Sequence, residues 1–332
     1  MILSGDVGGT STRLAFFAME DGRLKELARQ TFPSARYPGL EQIIEEFFSR
    51  QSYRAEAACF GIAGPVRGGR VATTNLAWVV DSESLARGLG LKSVSLLNDL
   101  EANAHGIATL APEALSEIHP GSPGAAGNAA LISAGTGLGE AGLYWDGLSH
   151  RPFATEGGHS GFAPADARET ELLVHLRRRL GHVSCERVIS GPGLVNIYEF
   201  LRDSGHGEEP AWLTEEMRRG DPSAAISEAG LAGRSELCAQ ALDLFVSAYG
   251  SEAGNLALKI LATGGVYVGG GIAPKILPKL NEGRFVEAFA AKGRFEPLLR
   301  DIPIRVILDP DTALKGAARY AAHFLEKTAG RR

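Results

Sequence analysis

The stretch SGDVGGTSTRLAFF, residues 4–17, places an aspartate and a Gly-Gly-Thr turn between two apolar runs. Glycine pairs are typical of tight turns that need positive φ, so this pattern predicts a hairpin connection. A glycine turn also lets backbone N–H groups point at a phosphate without obstruction by a Cβ atom. The rest of the chain has to decide between these two interpretations.

A second stretch, AALISAGTGLGEAGLYW at 129–145, repeats this order of apolar run, glycine-rich turn and apolar run. We interpret it as a weak internal repeat that predicts two similar domains with a central cleft. Strands that alternate with helices indicate an α/β fold. The expected small domain covers 1–110 plus 311–332, where an alanine-rich helix begins at Asp311, and the large domain covers 111–310.

Composition excludes several classes of function. The 332 residues carry a net charge of −5, which argues against nucleic-acid or membrane partners. The basic run HLRRRLGH at 175–182 has leucines at helical spacing and predicts a solvated helix face. No apolar run is long enough to cross a bilayer and no signal-peptide pattern is present, so a cytoplasmic location is expected. The three separated cysteines predict no zinc site.

Glycine clusters at 8–9, 135–139 and 269–271 each follow an apolar strand and are candidate phosphate or nucleotide contacts. No Gly-Lys pair occurs, which excludes a Walker A loop. A formal G-x-G-x-x-G begins at Gly137, but the residues after it have hairpin chemistry, which argues against a dinucleotide site. The strand GVYVGGGI at 265–272 is expected to lead into a helix that begins at Ala273.

Three polar segments are candidates for chemistry. Asn98 and Asp99 end the strand KSVSLLND, where Asp99 is either the N-cap of the next helix or a cleft residue at a strand end. Glu156 and His159 flank a Gly-Gly turn that has no helical or strand period, which favours a functional role. Glu186 precedes an apolar run and alone would be interpreted as a surface acid.

Taken in order, these stretches resemble the bacterial glucokinases of the actin-like (hexokinase-type, ribonuclease H-like) ATPase fold, over nearly the whole chain. GDVGGTSTRLAF and ISAGTGLGEAGL resemble the two phosphate motifs, and LLNDLEANAHGI the sugar-and-base segment. TEGGHSGFAP and HVSCERVISGPGL resemble the sugar loops, and GGVYVGGGIAPKIL the adenosine motif.

The resemblance implies a role for each matching residue. Asp99 would be the catalytic base facing the sugar 6-hydroxyl, and Asp6 would act on Mg²⁺ carried with ATP, through a water. The other sugar hydroxyls would be bound by Asn98, Glu156, His159, Glu186, Thr74 and Asn75. The ATP phosphates would be held by Gly8, Gly9, Thr10, Gly135, Thr136 and Gly137, and the adenosine by Gly269, Gly270 and Gly271.

The implied activity is ATP-dependent phosphorylation of D-glucose to glucose 6-phosphate, with ATP and Mg²⁺ as cofactors and a homodimer as the expected assembly. Two alternatives stay open: a kinase for another hexose or an amino sugar, and a catalytically inactive sugar-sensing relative. The presence of Asp99 and of both phosphate turns argues against the sensor. No cysteine-rich zinc loop like that of the related ROK sugar kinases follows the E-x-G-H motif.

Overall fold

The computed structural model describes residues 1–73 and 76–329, the last four of these by their backbone alone. The strands, in chain order, are β1 (Ile2–Val7), β2 (Ser11–Glu20), β3 (Arg23–Pro33), β4 (Ala57–Ile62), β5 (Arg70–Ala72), β6 (Val79–Asp81), β7 (Val94–Asn98), β8 (Leu115–His119), β9 (Ala129–Ala134), β10 (Leu138–Trp145), β11 (His150–Ala154), β12 (Gly265–Gly269) and β13 (Ile304–Ile307).

The α-helices, in the same order, are α1 (Leu40–Ser49), α2 (Ser82–Leu89), α3 (Asp99–Ile107), α4 (Ala167–Leu180), α5 (Gly191–Asp203), α6 (Ala211–Arg219), α7 (Pro222–Leu231), α8 (Glu236–Ile260), α9 (Leu277–Leu280), α10 (Arg284–Ala290), α11 (Glu296–Arg300) and α12 (Thr312–Ala329). Within the described residues, no helix has both the length and the apolar character needed to cross a membrane. All three cysteines are buried free thiols.

The chain divides into two compact units. The first consists of Met1–Glu113, Pro152–Ala154 and Asp309–Arg332, and the second of Ala114–Arg151 and Thr155–Leu308. The first unit is therefore assembled from both ends of the chain.

The first unit is built on a five-stranded sheet with the order β3-β2-β1-β4-β7. β1, β4 and β7 are parallel, so their carboxyl ends at Val7, Ile62 and Asn98 share one edge of the sheet. Phenylalanines that include Phe16 and Phe47 pack around α1 in one core cluster, and alanines of α12 pack in another with residues of β1, β4 and α3. The alanines of the final helix thus make the close contact with a sheet that the sequence predicts.

The second unit contains a six-stranded sheet with the order β11-β10-β9-β12-β13-β8. β9 pairs antiparallel with β10 and parallel with β12, as β1 pairs antiparallel with β2 and parallel with β4. The hairpin expected at 129–145 is therefore present, and the chain after Gly137 forms a strand rather than the helix of a dinucleotide site. The long helix α8 is mostly buried in the core of this unit.

Two boundaries near residue 270 differ from the prediction. β12 ends at Gly269 instead of 272, and the helix expected from Ala273 begins at Leu277 and lasts only four residues. Consecutive turns occupy 270–276, because Gly270 takes φ +85° and the Ile272 N–H turns back to the Ala134 carbonyl at 3.3 Å. In α4 the basic run lies as predicted, with Arg177, Arg178 and Arg179 exposed.

Candidate active site

The first glycine turn connects β1 and β2 at the carboxyl edge of the first sheet. The Gly8 N–H donates to the Ser11 carbonyl at 3.0 Å, so this donor closes the hairpin and is not directed outward. Gly8 does not have the positive φ that the glycine pair led us to expect; an added Cβ would instead stand 3.1 Å from Ser11 O. The N–H groups of Gly9 and Thr10 have no acceptor among the described residues, so they are the donors that could meet a phosphate.

Ser34, which the sequence analysis did not identify, supports this turn through hydrogen bonds. It is fully buried, its N–H donates to Thr10 O at 3.1 Å, and its hydroxyl donates to Gly8 O at 2.8 Å. The hydroxyl also lies 2.9 Å from that of Thr12. Only the pairing of Ser11 with Pro33 across β2 and β3 could have indicated this contact, because nothing local in the sequence marks Ser34.

Asp6 lies directly opposite Arg13 in the β1–β2 register. Its Oδ2 accepts from Nε and Nη2 of Arg13, while Nη1 of the same guanidinium donates to Asp311 Oδ1 at 3.0 Å. Asp311 in turn accepts from Arg29 at 2.6 Å. Alternating acids and arginines therefore hold the carboxylate of Asp6 beside the first glycine turn.

Asn98, and not Asp99, caps helix α3. The Asn98 Oδ1 accepts from the N–H groups of Leu100 at 2.9 Å and Glu101 at 3.4 Å, and its amide donates to Gly64 O at 3.2 Å. The N-cap alternative for Asp99 is therefore wrong, because the extended backbone of a cap belongs to Asn98. Asp99 is the first residue of the helix and is half-buried. Thr74 and Asn75 lie outside the described residues.

The second and third glycine turns pack against each other in the second unit. β9 and β12 are parallel neighbours with Ser133 opposite Gly269, so the turns at 135–137 and 270–271 leave the sheet at the same edge. A Cβ added at Gly270 would overlap the Ala134 carbonyl, which explains the glycine there. Within the described residues, Thr136 and Gly137 have N–H groups without an acceptor, whereas Gly135 donates to Gly137 O at 2.8 Å.

Tyr249 of α8 contacts the strand ends that lead into both turns, and the sequence analysis did not predict it. Its fully buried hydroxyl accepts from the Ala134 N–H at 3.2 Å and lies 3.3 Å from Ile132 O and 3.5 Å from Gly269 O. Burial raises the pKa of this phenol, which keeps it protonated and able to donate. One side chain thus connects the ends of β9 and β12.

The two candidate sugar loops pair with each other. Cys185 N–H donates to Ser160 O at 2.9 Å, and a ring nitrogen of His182 lies 3.1 Å from His159 O. Glu156 precedes the short 3₁₀ helix Gly157–His159, which ends at His159, and both side chains are exposed. Glu186, on the other loop, accepts from the N–H of Leu138 at 3.0 Å. These two candidate loops are therefore attached to the strand that follows the second glycine turn.

A buried acid, Glu140, lies on β10 behind these loops. It is 1% exposed, and its Oε1 has no hydrogen-bond partner among the described residues. Burial, reinforced by nearby Glu252 and opposed by Lys259, raises the pKa of Glu140 to about 7. A Cβ added at Gly157 would overlap this carboxylate, so a larger residue there would displace Glu140.

Each unit brings part of the predicted site together. In the first unit Asp6, the turn at 8–10, Asn98 and Asp99 follow neighbouring parallel strands to one edge. In the second unit the turns at 135–137 and 269–271 adjoin, and Glu186 contacts the former. The role of each of these residues remains a prediction.

Comparison with known proteins gives a consistent result. The Glucokinase family model matches residues 3–324. The glucokinase of Nostoc punctiforme is 41% identical, over 97% of this chain and 99% of its own. The crystal structure of a glucokinase from an Antarctic psychrotroph superposes with a TM-score of 0.84 at 31% identity, covering 97% of this chain and 98% of that one.

A more distant similarity extends to the ROK sugar kinases. A ROK family glucokinase from Streptomyces griseus, solved in complex with glucose and AMPPNP, has a TM-score of 0.64 at 20% identity, over 97% of this chain and 99% of its own. The fold is thus the α/β two-domain fold of sugar kinases. Within that class, the chain belongs to the glucokinase family.

Proposed function

We propose that this protein is an ATP-dependent glucokinase that converts D-glucose and ATP into glucose 6-phosphate and ADP. The observation that carries the proposal is the position of Asp99, half-buried at the same sheet edge as the turn at 8–10, in a chain of the glucokinase family. A fold relative that holds both glucose and AMPPNP supports the same pair of ligands. We also propose that this fold is the actin-like ATPase fold.

In the proposed reaction Asp99 orients the sugar 6-hydroxyl and accepts its proton. The hydroxyl oxygen forms a bond to the γ-phosphorus while the bond to the β–γ bridging oxygen breaks, and its electron pair leaves with ADP. Phosphoryl transfer has a loose transition state, so positioning and neutralisation of charge supply most of the rate. The N–H groups of Gly9, Thr10, Thr136 and Gly137 are suited to that task because no described residue engages them.

The residues near Asp6 fit a magnesium ion bound with ATP. Mg²⁺ usually keeps several waters and binds one or two carboxylates together with substrate phosphates. Arg13 engages only Oδ2 of Asp6, so Oδ1 could accept from a water of the ion. When bound, the ion neutralises charge on the phosphates, and Asp6 would hold it near the first turn.

The sugar-binding roles of Asn98, Glu156, His159 and Glu186 are part of the proposal, because carboxylates accept charge-assisted hydrogen bonds from hydroxyls. Of these, Asn98 has most of its hydrogen-bonding capacity committed to α3 and Gly64. The two compact units would be the small and large domains of the enzyme. We also propose that the enzyme is a homodimer and that it is located in the cytoplasm.

The test is a coupled ADP assay of the purified chain with Mg-ATP and a panel of hexoses and amino sugars. We expect glucose to give the highest kcat/KM. A higher value for another sugar would favour the alternative kinase. Sugar binding by calorimetry without ADP formation for any member of the panel would identify a sensor instead.

A further inference from the structure

The loop that carries Glu186 is hydrogen-bonded to the second phosphate turn at two points. The Leu138 N–H, directly after the turn, donates to Glu186 Oε2 at 3.0 Å. The Gly191 N–H donates to Gly135 O, at the start of the turn, at 2.8 Å. The segment 186–191 therefore holds both ends of the turn at 135–137.

Glu186 also occupies the space where residue 137 would carry a side chain. A Cβ added at Gly137 would overlap Glu186 Oε2 and lie 3.3 Å from its Cδ, whereas one added at Gly135 would meet nothing within 4 Å. Neither glycine has positive φ. A side chain at residue 137 would therefore displace the Glu186 carboxylate, whereas the backbone conformation places no such limit on this residue.

The two oxygens of Glu186 face different demands. Oε2 is committed to Leu138 N–H, and the half-buried side chain leaves the other oxygen to accept from a sugar hydroxyl, as the proposed function requires. Because the turn fixes one oxygen of the carboxylate, the other oxygen is already oriented for the sugar. The converse holds too, because a bound sugar restricts the carboxylate that anchors the turn.

We infer that Glu186 is a positioning residue for the second phosphate turn, through which hexose binding and nucleotide binding are coupled. This inference rests on the proposed function, since it takes the turn to hold phosphate and Glu186 to bind sugar. Coupling between two sites is reciprocal, so a change at either one must alter affinity at the other.

The first experiment measures binding of Mg-AMPPNP by calorimetry with no sugar present. Glu186→Ala removes the anchor of the turn and should weaken this binding by about fivefold or more, the lower range of coupling between sites. Glu186→Gln should keep it within about twofold, because the amide oxygen can still accept from Leu138 N–H. A residue that served only the sugar would leave AMPPNP affinity unchanged in both variants.

The second experiment measures binding of glucose with no nucleotide present. Gly137→Ala displaces the Glu186 carboxylate and should weaken glucose binding by about fivefold or more, although residue 137 lies in the phosphate turn. Gly88→Ala, in α2 and outside the proposed site, is the glycine-to-alanine control and should bind glucose like the wild type, since its added methyl meets nothing.

Equal glucose affinities for Gly137→Ala and Gly88→Ala, or wild-type AMPPNP affinity for Glu186→Ala, would overturn the coupling. If the wild-type chain still phosphorylates glucose in that case, the coupling is contradicted and the proposed function is not. A wild-type chain that binds neither ligand contradicts the proposed function, and the coupling with it.

Discussion

Asn98 and Asp99 are neighbours at the start of α3 with separate tasks, because the cap is made by Asn98. If Asp99 is the base, Asp99→Ala should lower kcat by about 10²–10⁴-fold, the usual contribution of a general base. That loss corresponds to roughly 3–5 kcal/mol of transition-state stabilisation. Steady-state kinetics with Mg-ATP and glucose measures it.

Asn98→Ala gives the comparison for stability. It removes the cap and should lower the free energy of unfolding by about 1 kcal/mol, whereas Asp99→Ala removes a bond from the Leu100 N–H at 3.0 Å and should lower it less. Urea denaturation separates the two variants. An Asp99→Ala enzyme whose kcat per folded molecule stays within a few-fold of the wild type would exclude Asp99 as the base.

Glu140 predicts a dependence of stability on pH. In the folded chain its carboxyl keeps a proton up to about pH 7, whereas the ordinary value is 4.5. Because the folded state binds the extra proton, stability falls as pH rises from 4.5 through 7. Relative to Glu140→Gln, the wild type should lose about 3 kcal/mol of unfolding free energy over this range.

Denaturation of both chains at about pH 5 and about pH 8 tests the prediction, since groups other than Glu140 titrate alike in the two proteins. Glu140→Gln should be the more stable chain at the higher pH. A difference between the chains that does not vary with pH would show that Glu140 is ionised throughout.

At the scale of elements, Tyr249 joins the ends of β9 and β12. Tyr249→Phe leaves the Ala134 N–H buried without its acceptor, which should cost about 1–3 kcal/mol of stability. Because both strand ends lead into proposed nucleotide turns, the KM for ATP should rise more than the KM for glucose. Tyr198→Phe is the control, since that buried hydroxyl donates to Glu209 and touches neither turn. Equal effects of the two variants on the KM for ATP would contradict the role of Tyr249.

The contact between α3 and α12 depends on two glycines. A Cβ added at Gly316 would overlap the Ala102 carbonyl, and one added at Gly106 would overlap that of Thr312. Gly316→Ala should therefore lower the unfolding free energy by about 1–3 kcal/mol, the typical cost of overpacking, and lower kcat by shifting the helix that begins with Asp99. In α2, Gly88→Ala meets nothing and should instead stabilise the chain by about 0.5–1 kcal/mol. Stabilisation by both alanines would show that α12 can move away without cost.

The elements were predictable where their signals are local. The apolar spacing of Leu40, Ile43 and Phe47 predicts α1, and the sequence predicts Asp81 or Ser82 as the cap of α2, of which Asp81 forms it. Asn98 was not recognised as a cap because Asn and Asp are equally good candidates and backbone φ and ψ decide between them. Ser34 and Tyr249 act across 20 or more residues of sequence, so no local pattern could have indicated them.

At the scale of the whole molecule, the residues proposed to bind the sugar belong to both units. Glucose at about 100 times its Kd should therefore slow hydrogen exchange by up to about 100-fold wherever exchange requires the protein to release the sugar. We expect this protection at Leu100–Glu101 and also at Gly157–Ser160. Mass spectrometry of the full chain measures both segments. A hexose that gives no ADP serves as the control, and protection confined to one of the two segments would contradict the sugar-binding roles proposed for the residues near the other.

The elements of the first unit are synthesised at very different times, because α12 comes from the far end of the chain. The Ser4 hydroxyl donates to the Leu314 carbonyl, and Ile2, Ala57 and Leu97 share a core with alanines of that helix. On a ribosome adding 5–20 residues per second, these strands emerge about 10–60 s before the helix that covers them. An apolar sheet face is thus left uncovered until α12 has been synthesised, and transiently exposed apolar surface of this kind favours aggregation of the nascent chain.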